Sequence, residues 1–157
     1  MSLRVRDIMV TDVITISEDA TVREAAKLMS EKNVGCLIVV RDDRPVGIIT
    51  ERDILTRVVA EGKNPDAVKV AWVMSKPIVR GRPDMTLEEA ARLMTSKGVK
   101  KLPIFEGEKL VGIITLTDLV RSQPYVVELL EDILASEMLP PRFHKVIRPR
   151  VPRLRAR

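Results

Sequence analysis

The sequence predicts a mixed α/β (α+β) fold made of two βαββα repeats, followed by a C-terminal helix and a flexible basic tail. The main observation is internal similarity: residues 8–57 align without a gap on residues 73–122, at an offset of 65 positions, and about a third of the pairs are identical. Both copies also contain the run Val-Gly-Ile-Ile-Thr with an Asp three positions further on. Two copies are too few for a solenoid. We therefore expect a pseudo-twofold pair in which each repeat covers the apolar face of the other.

The repeats divide the chain into three predicted segments. Residues 1–65 form the first repeat and residues 66–124 the second, and the Gly and Pro content of residues 61–65 is typical of a linker. Residues 125–157 form the remainder. Its first part, residues 125–138, has the apolar spacing of an amphipathic helix. The prolines and basic residues that follow do not favour a regular helix, so we expect a flexible tail.

The first helix of each repeat is bounded by sequence signals. A Thr followed three positions later by a Glu predicts a capping box, in which each side chain bonds to the backbone N–H of the other residue. These pairs are Thr21 with Glu24 and Thr86 with Glu89. Asn33 and Gly98 stand where a residue in the left-handed conformation ends a helix. Both helices therefore have defined starts and ends.

Short apolar runs bounded by turn residues predict the strands. These runs are Val13–Ile16, Leu37–Val40 and Val46–Thr50 in the first repeat, and Ile78–Val79, Leu102–Phe105 and Val111–Thr115 in the second. The pairs Asp42-Asp43 and Gly107-Glu108 separate the last two runs of each repeat and predict antiparallel hairpins. A second helix is expected to start near Glu51 and near Leu116.

The net charge of +5 is unevenly distributed. Beyond residue 138 there are seven basic residues and no acidic ones: Arg142, Lys145, Arg148, Arg150, Arg153, Arg155 and Arg157. Acidic residues outnumber basic ones in the rest of the chain, so a surface for nucleic acid is expected only in the tail. Aromatic residues make up only 3% of the chain, which also disfavours a base-stacking platform.

Several features indicate a cytoplasmic protein with no membrane segment. The N-terminus lacks the apolar core of a signal peptide, and no apolar run approaches the roughly 20 residues that a membrane-spanning helix needs. The single cysteine, Cys36, has no second cysteine with which to form an internal disulfide, as is usual in a reducing compartment. It lies in an apolar run and is interpreted as a small buried residue.

The duplicated motifs resemble the CBS domain, the family named after cystathionine β-synthase, in its tandem arrangement. The most specific stretches are residues 46–53 and 111–118, which share Gly, apolar residues, Thr and then Asp. Residues 98–104 are similar to the second strand of that family, and the resemblance extends over residues 6–122. It implies a pseudo-twofold pair with two clefts, binding of adenosine derivatives, regulation of a partner protein and, frequently, a dimer of two pairs.

A Thr at the end of a strand and an Asp in the first turn of the next helix suit a nucleoside. The carboxylate can accept hydrogen bonds from both ribose hydroxyls, as the acidic residue of dinucleotide-binding folds does. The Thr hydroxyl suits a ribose or phosphate oxygen. The alternative is purely structural: Thr50 and Thr115 cap helices, and Asp53 and Asp118 favour the positive end of the helix dipole.

The resemblance also implies which residues line the two clefts, because each cleft joins the Thr and Asp of one repeat to the first two strands of the other. Cleft A comprises Ile48, Thr50, Arg52, Asp53, Pro77, Ile78, Val79, Val99, Lys100 and Lys101. Cleft B comprises Val13, Ile14, Val34, Gly35, Cys36, Ile113, Thr115 and Asp118. In both clefts, apolar side chains would sandwich the base.

The two clefts differ in charge. Cleft A has Lys100 and Lys101 where cleft B has Gly35 and Cys36, and it has Arg52 where the second repeat has Thr117. Cations favour a phosphate, so we expect AMP, or ADP or ATP, in cleft A. Cleft B is expected to bind weakly, to stay empty, or to take an uncharged adenosine derivative. The alternative is that the two lysines are ordinary solvated charges at a strand end.

No enzymatic function is expected. We find no set of nucleophile, base and orienting group, no phosphate-binding loop and no metal-ligand spacing, and His144 stands in the tail without a second ligand near it. A catalytic cofactor is therefore not expected. Trp72 is predicted to pack at the junction of the repeats. Two alternative functions stay open: a sensor of S-adenosylmethionine, which would suit the same cleft, and a nucleic-acid-binding adaptor that acts through the basic tail.

Overall fold

A computed structural model describes residues 3–122 of the chain. The first repeat contains helix α1 (Val5–Ile8), strand β1 (Thr15–Ser17), helix α2 (Val22–Lys32), strands β2 (Cys36–Arg41) and β3 (Arg44–Thr50), helix α3 (Glu51–Ile54) and a π-helical turn (Leu55–Val59). The second contains helices α4 (Val70–Val73) and α5 (Leu87–Lys97), strands β4 (Lys101–Glu106) and β5 (Lys109–Thr115) and helix α6 (Leu116–Arg121). The predicted mixed fold is confirmed.

The chain forms two compact units, Met1–Thr115 and Leu116–Arg157. The first contains the strands and helices of both repeats up to the end of β5, and the second begins with α6. The predicted helix and tail at 125–157 lie outside the described residues. No helix within residues 3–122 is long and apolar enough to cross a membrane.

The hairpins of the two repeats have the same register, as the duplication predicts. Strands β2 and β3 are antiparallel with Cys36 opposite Thr50, and β4 and β5 are antiparallel with Lys101 opposite Thr115. A bulge interrupts each hairpin at the same point, between Val39 and Val40 in the first and between Ile104 and Phe105 in the second. The predicted turn residues Asp42, Asp43 and Gly107 have positive φ angles, which close both hairpins.

The predicted helix boundaries are also confirmed. Thr21 Oγ1 accepts from the Glu24 N–H at 3.1 Å, and Glu24 Oε2 accepts from the Thr21 N–H at 2.8 Å. Thr86 and Glu89 form the same pair in the second repeat. Asn33 (φ 52°) and Gly98 (φ 64°) end α2 and α5 in the left-handed conformation. Local sequence alone therefore places both helices.

The strand predicted at Ile78–Val79 is wrong. In the first repeat β1 runs parallel to β2, with Ile16 beside Val39. At the corresponding place in the second repeat only one bridge forms, between Gly81 and Ile104. Glycine weakens a strand, and Pro83, two residues further on, has no N–H to donate. The segment therefore forms this single bridge, with two hydrogen bonds to β4, and no ladder.

The sequence did not predict the short helices α1 and α4, which the two repeats exchange. The N–H of Val5 in α1 donates to the carbonyl of Met85 at 2.9 Å, which places the first turn of the chain on the second repeat. The N–H of Val70 in α4 donates to the carbonyl of Ala20 at 2.8 Å, which places the start of the second repeat on the first. These four residues correspond at the 65-residue offset. The exchange is therefore reciprocal and gives the pair its pseudo-twofold relation.

The exchanged residues complete the apolar core. The first repeat's core contains α2, the two hairpin strands and Val58, and the second repeat adds Val70, Val73 and Met74 to it. Val5 makes the converse contribution and is fully buried, as Val70 is. The boundary between residues 65 and 66 stays a prediction, and the apolar packing extends across it.

Two glycines allow the exchanged segments to approach. A Cβ atom at Gly47 would lie 2.5 Å from Met74 Sδ and 3.1 Å from the Ser75 carbonyl oxygen. A Cβ atom at Gly112 would lie 2.6 Å from Met9 Sδ and 3.0 Å from the Val10 carbonyl oxygen. The glycine of each Val-Gly-Ile-Ile-Thr run is thus required by the segment that packs against it.

We predict that Gly47→Ala lowers the free energy of unfolding by about 1–3 kcal/mol, because the added methyl group overpacks the contact with Met74 and Ser75. Urea denaturation monitored by circular dichroism measures this change. Combining Gly47→Ala with Met74→Ala should recover part of the loss relative to the sum of the single variants, since the sulfur is the nearer obstacle. Strict additivity of the two substitutions would contradict this explanation.

Candidate functional site

Thr50 and Asp53 lie at the carboxyl end of β3, where α3 begins. The Asp53 N–H donates to Thr50 Oγ1 at 3.2 Å, and the Thr50 N–H donates to Asp53 Oδ2 at 3.0 Å. Thr50 and Asp53 therefore cap the helix α3, which is the structural alternative that the sequence predicts for them. It holds the hydroxyl and the carboxylate side by side at the end of a strand, in a fixed orientation.

The second carboxylate oxygen of Asp53 has partners that sequence reasoning missed. Ser75 Oγ donates to Asp53 Oδ1 at 2.9 Å, and Arg57 Nε lies 3.8 Å from the same oxygen. Only 8% of the Asp53 side chain is exposed. The spacing of Asp53 and Arg57 as an i, i+4 pair is a signal that could have identified the arginine. Ser75 comes from the exchanged segment, and no local pattern points to it.

Ser75 also joins β3 to the part of cleft A that the second repeat supplies. The Ser75 N–H donates to the Ile48 carbonyl at 2.8 Å, and the Ile48 N–H donates to the Ser75 carbonyl at 3.0 Å. The chain then passes through exposed Lys76 and Pro77 to half-buried Ile78 and Val79. The structure therefore places Ile48, Thr50 and Asp53 next to the segment that leads to residues 77–79.

Lys101 connects the start of β4 to the start of α3. Its Nζ donates to the Gly35 carbonyl at 3.0 Å, and the same carbonyl accepts the Glu51 N–H at 3.1 Å. Half-buried Lys101 thus reaches the first repeat immediately beside Thr50. Lys100 and Arg52 are exposed. Of the three cations predicted for cleft A, Lys101 is the one whose side chain donates a hydrogen bond to the other repeat.

Gly35, assigned to cleft B, lies against Lys101, assigned to cleft A. A Cβ atom at Gly35 would overlap the Glu51 carboxylate and would lie 2.8 Å from Lys101 Nζ. The carboxylate of Glu51 and the ammonium group of Lys101 therefore pack over this glycine. The motifs in the sequence did not identify Glu51 as a residue of the site. The corresponding residue of the second repeat is Leu116, so this acid belongs to one repeat only.

Cys36 adjoins this charged pair. The thiol is half-buried and free. Burial raises its pKa, the positive charge of Lys101 lowers it, and the negative charge of Glu51 raises it. The predicted burial of this cysteine is therefore only partial, because the residue is half-buried.

Each of the other residues assigned to cleft B belongs to one of the two compact units. Val13, Ile14, Val34 and Ile113 are half-buried in the first unit, where Ile113 forms a bridge with Val10. Thr115 is the last residue of β5 and of that unit, and Asp118 belongs to α6 in the second. Both are half-buried. Across residues 3–122, no group of three or more His, Cys, Asp or Glu side chains is arranged to hold a metal ion.

Trp72 does not pack at the junction of the repeats, and that prediction is wrong. The side chain lies on α4 and is 66% exposed. It lines a shallow surface pocket of about 710 Å³ together with Arg57, Ala71, Met74, Ser75 and Lys76. The buried side of α4 is instead occupied by Val70 and Val73, because a four-residue helix has room for few inward-facing positions.

Comparison with known proteins agrees with this architecture. The CBS domain model matches residues 5–60 and again residues 68–125. The chain therefore belongs to the CBS domain family, as a tandem pair, and a CBS pair is a regulatory type of module.

Two sequence relatives and one solved structure are similar to most of the chain. The chain is 41% identical over 133 residues to an uncharacterised protein of Methanopyrus kandleri, covering 83% of this chain and 68% of that one. It is 42% identical over 119 residues to the CBS domain-containing protein YhcV of Bacillus subtilis, covering 76% and 84%. Among solved structures, it resembles a hexameric CBS-CP12 protein from bloom-forming cyanobacteria with a TM-score of 0.74 and 35% identity, covering 86% and 82%.

We predict that Cys36 reacts with iodoacetamide more slowly than a free cysteine at pH 8, since its raised pKa leaves less thiolate at that pH. Lys101→Met should slow the reaction further and Glu51→Gln should accelerate it, because the two charges shift the pKa in opposite directions. Mass spectrometry of alkylated protein over a pH series measures both effects. Equal pH profiles for the two variants would contradict the assignment.

Proposed function

We propose that the protein is a non-catalytic regulatory module that binds an adenine nucleotide, AMP or its di- or triphosphate, in cleft A. One observation supports this most directly: Lys101 of the second repeat forms a hydrogen bond beside the Thr50–Asp53 capping box of the first. The Gly35 carbonyl that Lys101 contacts also accepts the Glu51 N–H, so a cation of the second repeat lies beside the residue that follows Thr50. Such convergent polar groups between domains are typical of small-molecule sites.

In this proposal the ribose interacts with Asp53. A carboxylate has about four acceptor positions, and the capping bond to Thr50 and the bond from Ser75 use two of them. Because only 8% of the Asp53 side chain is exposed and Arg57 Nε also lies 3.8 Å from Oδ1, a vicinal diol would have to replace one of the present partners of Oδ1. Ile48, Ile78 and Val79, which are half-buried, supply apolar surface for the base.

The phosphate interacts with the cations in this proposal. Lys101 Nζ has three N–H donors and uses one of them to bond to the Gly35 carbonyl. Lys100 and Arg52, next to Lys101 and Glu51 in sequence, are exposed and would add positive charge. Glu51 opposes part of this charge. S-adenosylmethionine would place a positive sulfonium near these cations, so it is the weaker candidate.

We also propose that the chain associates with itself. Leu55 and Val59 on the π-helical turn are 61% and 62% exposed, and with Ala26 and Met29 of α2 they line a groove of about 600 Å³. Neighbouring exposed apolar side chains of this size favour a protein partner. The hexameric state of the cyanobacterial CBS-CP12 protein supports self-association in a related chain.

We predict that Lys101→Met weakens AMP binding about 10- to 100-fold, which is the effect of losing a charge-assisted hydrogen bond to phosphate. Isothermal titration calorimetry measures the affinity. Lys109→Met, at the exposed start of β5, is the matched control and should bind AMP as the wild type does. Asp53→Asn should also weaken binding, whereas Asp118→Asn should leave it nearly unchanged.

The opposite result with the two aspartates would move the nucleotide to cleft B. A thermal-shift series with AMP, ADP, ATP, S-adenosylmethionine and NAD identifies the ligand, since a ligand at 100 times its Kd adds about 2.7 kcal/mol to stability. A response to S-adenosylmethionine alone would replace the nucleotide proposal with the alternative sensor. If no compound raises the Tm, the proposed function is wrong.

Leu55→Glu is predicted to reduce self-association, because a charge in the groove loses its hydration when a second copy covers it. Size-exclusion chromatography with light scattering measures the mass of wild type and variant at equal concentration. Leu3→Glu is the control, since Leu3 is also exposed but lies outside this groove. A wild-type protein that remains monomeric at 100 µM would contradict the proposal; about 100 µM is well above the Kd of a stable dimer.

A further inference from the structure

We propose that Arg57 couples the occupancy of cleft A to helix α4, so that nucleotide binding changes the conformation of this turn and of the exposed Trp72 that it carries. This inference rests on the proposed function. It identifies the residue through which the occupied site would alter the protein surface. The observations that support it are the two sets of contacts that Arg57 makes.

The first set of contacts is with Asp53. Arg57 Nε lies 3.8 Å from Asp53 Oδ1, the oxygen that also accepts from Ser75. Because only 8% of the Asp53 side chain is exposed, a ribose has little free carboxylate surface to contact. Binding to both hydroxyls therefore requires Asp53 Oδ1 to exchange at least one of its present partners. The ribose hydroxyls would compete with Arg57 for Oδ1 whichever partner leaves, which weakens the attraction between Arg57 and Asp53.

The second set of contacts is with the end of α4. Arg57 Nη1 donates to the carbonyl of Val73 at 2.9 Å and to that of Met74 at 3.2 Å. The last carbonyls of a helix have no partner within the helix, so Arg57 supplies one. The guanidinium is planar and rigid. A movement of Nε away from Asp53 is consequently transmitted to both carbonyl contacts.

Helix α4 is short enough to respond. It has four residues, and a single helical turn is not stable on its own. At the start of α4, the N–H groups of Val70 and Ala71 donate to carbonyls of the first repeat. At the end of α4, Arg57 donates to the Val73 carbonyl. Trp72 is 66% exposed between these attachments. Release of Arg57 would loosen the end of α4 and leave its start in place.

The residues of this coupling are not duplicated. At the 65-residue offset, Arg57 corresponds to Ser122, Ser75 to Val10, and Trp72 to Asp7. Arg57, Ser75 and Trp72 are therefore each replaced by a residue of different chemistry at the equivalent position.

Trp72 makes the test direct, because it is the only tryptophan of the chain. We expect AMP to change the Trp72 emission of the wild type with the same Kd that calorimetry gives. In Arg57→Gln, calorimetry should show AMP binding at least as tight as in the wild type, since a competitor for Asp53 is removed, but the emission change should be lost. Arg57→Lys, which keeps the charge without the planar fork, should lose most of it and serves as well if the glutamine variant folds poorly.

Arg92→Gln is the matched control. Arg92 also pairs with a carboxylate four residues earlier, Glu88, but both side chains are exposed and lie on α5. This variant should retain the wild-type emission change. An emission change that persists in Arg57→Gln would overturn the proposal, and so would calorimetric binding to the wild type without any change in emission.

A measurement without ligand separates this inference from the proposed function. The Met74 N–H donates to the Val70 carbonyl at 2.9 Å, so its hydrogen exchange reports the integrity of α4. Asp53→Asn and Arg57→Gln should both accelerate exchange in peptides covering residues 70–75, and Arg92→Gln should not. Unchanged exchange in the first two variants would overturn the coupling even if AMP binds, whereas a wild type that binds no adenine nucleotide would overturn the proposed function instead.

Discussion

The close approach of each exchanged segment to a glycine in the partner repeat is the contact on which the rest of the structure depends. Met74 and Ser75 lie over Gly47, and Met9 and Val10 lie over Gly112. A side chain at either glycine would overlap these atoms and push the segment away, which would weaken the bridges that hold the two repeats together. Those bridges in turn position the valines that complete each core. A single missing Cβ atom in each repeat therefore permits the whole pair.

The same contact assembles the candidate site. Ser75 reaches Asp53 because the exchanged segment runs beside Ile48, and the chain continues from there to residues 77–79. The site is consequently made from both repeats at a point where neither is complete alone. Its geometry depends on the packing of the pair, which is the arrangement expected of a module whose two halves respond together to a ligand.

Much of the fold was predictable because it is encoded locally. Capping boxes, left-handed helix ends and hairpin turns depend on residues close together in the chain, and both repeats contain all three features. The exchange of α1 and α4 was not predictable, since four-residue helices have little periodicity and their partners lie far away in sequence. The failed strand at Ile78–Val79 shows the converse: apolar β-branched residues favour a strand, but Gly81 and Pro83 next to them limit it to a single bridge.

For the candidate site, the residue types could be predicted from the sequence but their partners could not. Thr50 and Asp53 could be recognised from the motif, and Arg57 stands at a helical spacing from Asp53. The bond from Ser75 and the contact of Lys101 with Gly35 join residues more than 20 positions apart, and only the folded chain brings them together. Glu51 was overlooked because its importance comes from its position beside Lys101.

The exchange of α1 and α4 also bears on how such a chain arises. Two separate copies of one repeat, each lending its leading turn to the other, would satisfy the same hydrogen bonds in a symmetric dimer. Joining them through the loop at Gly62 converts that concentration-dependent association into an intramolecular one. Once joined, the halves are free to diverge: the first has Arg57 where the second has Ser122, and the second has Trp72 and Ser75 where the first has Asp7 and Val10.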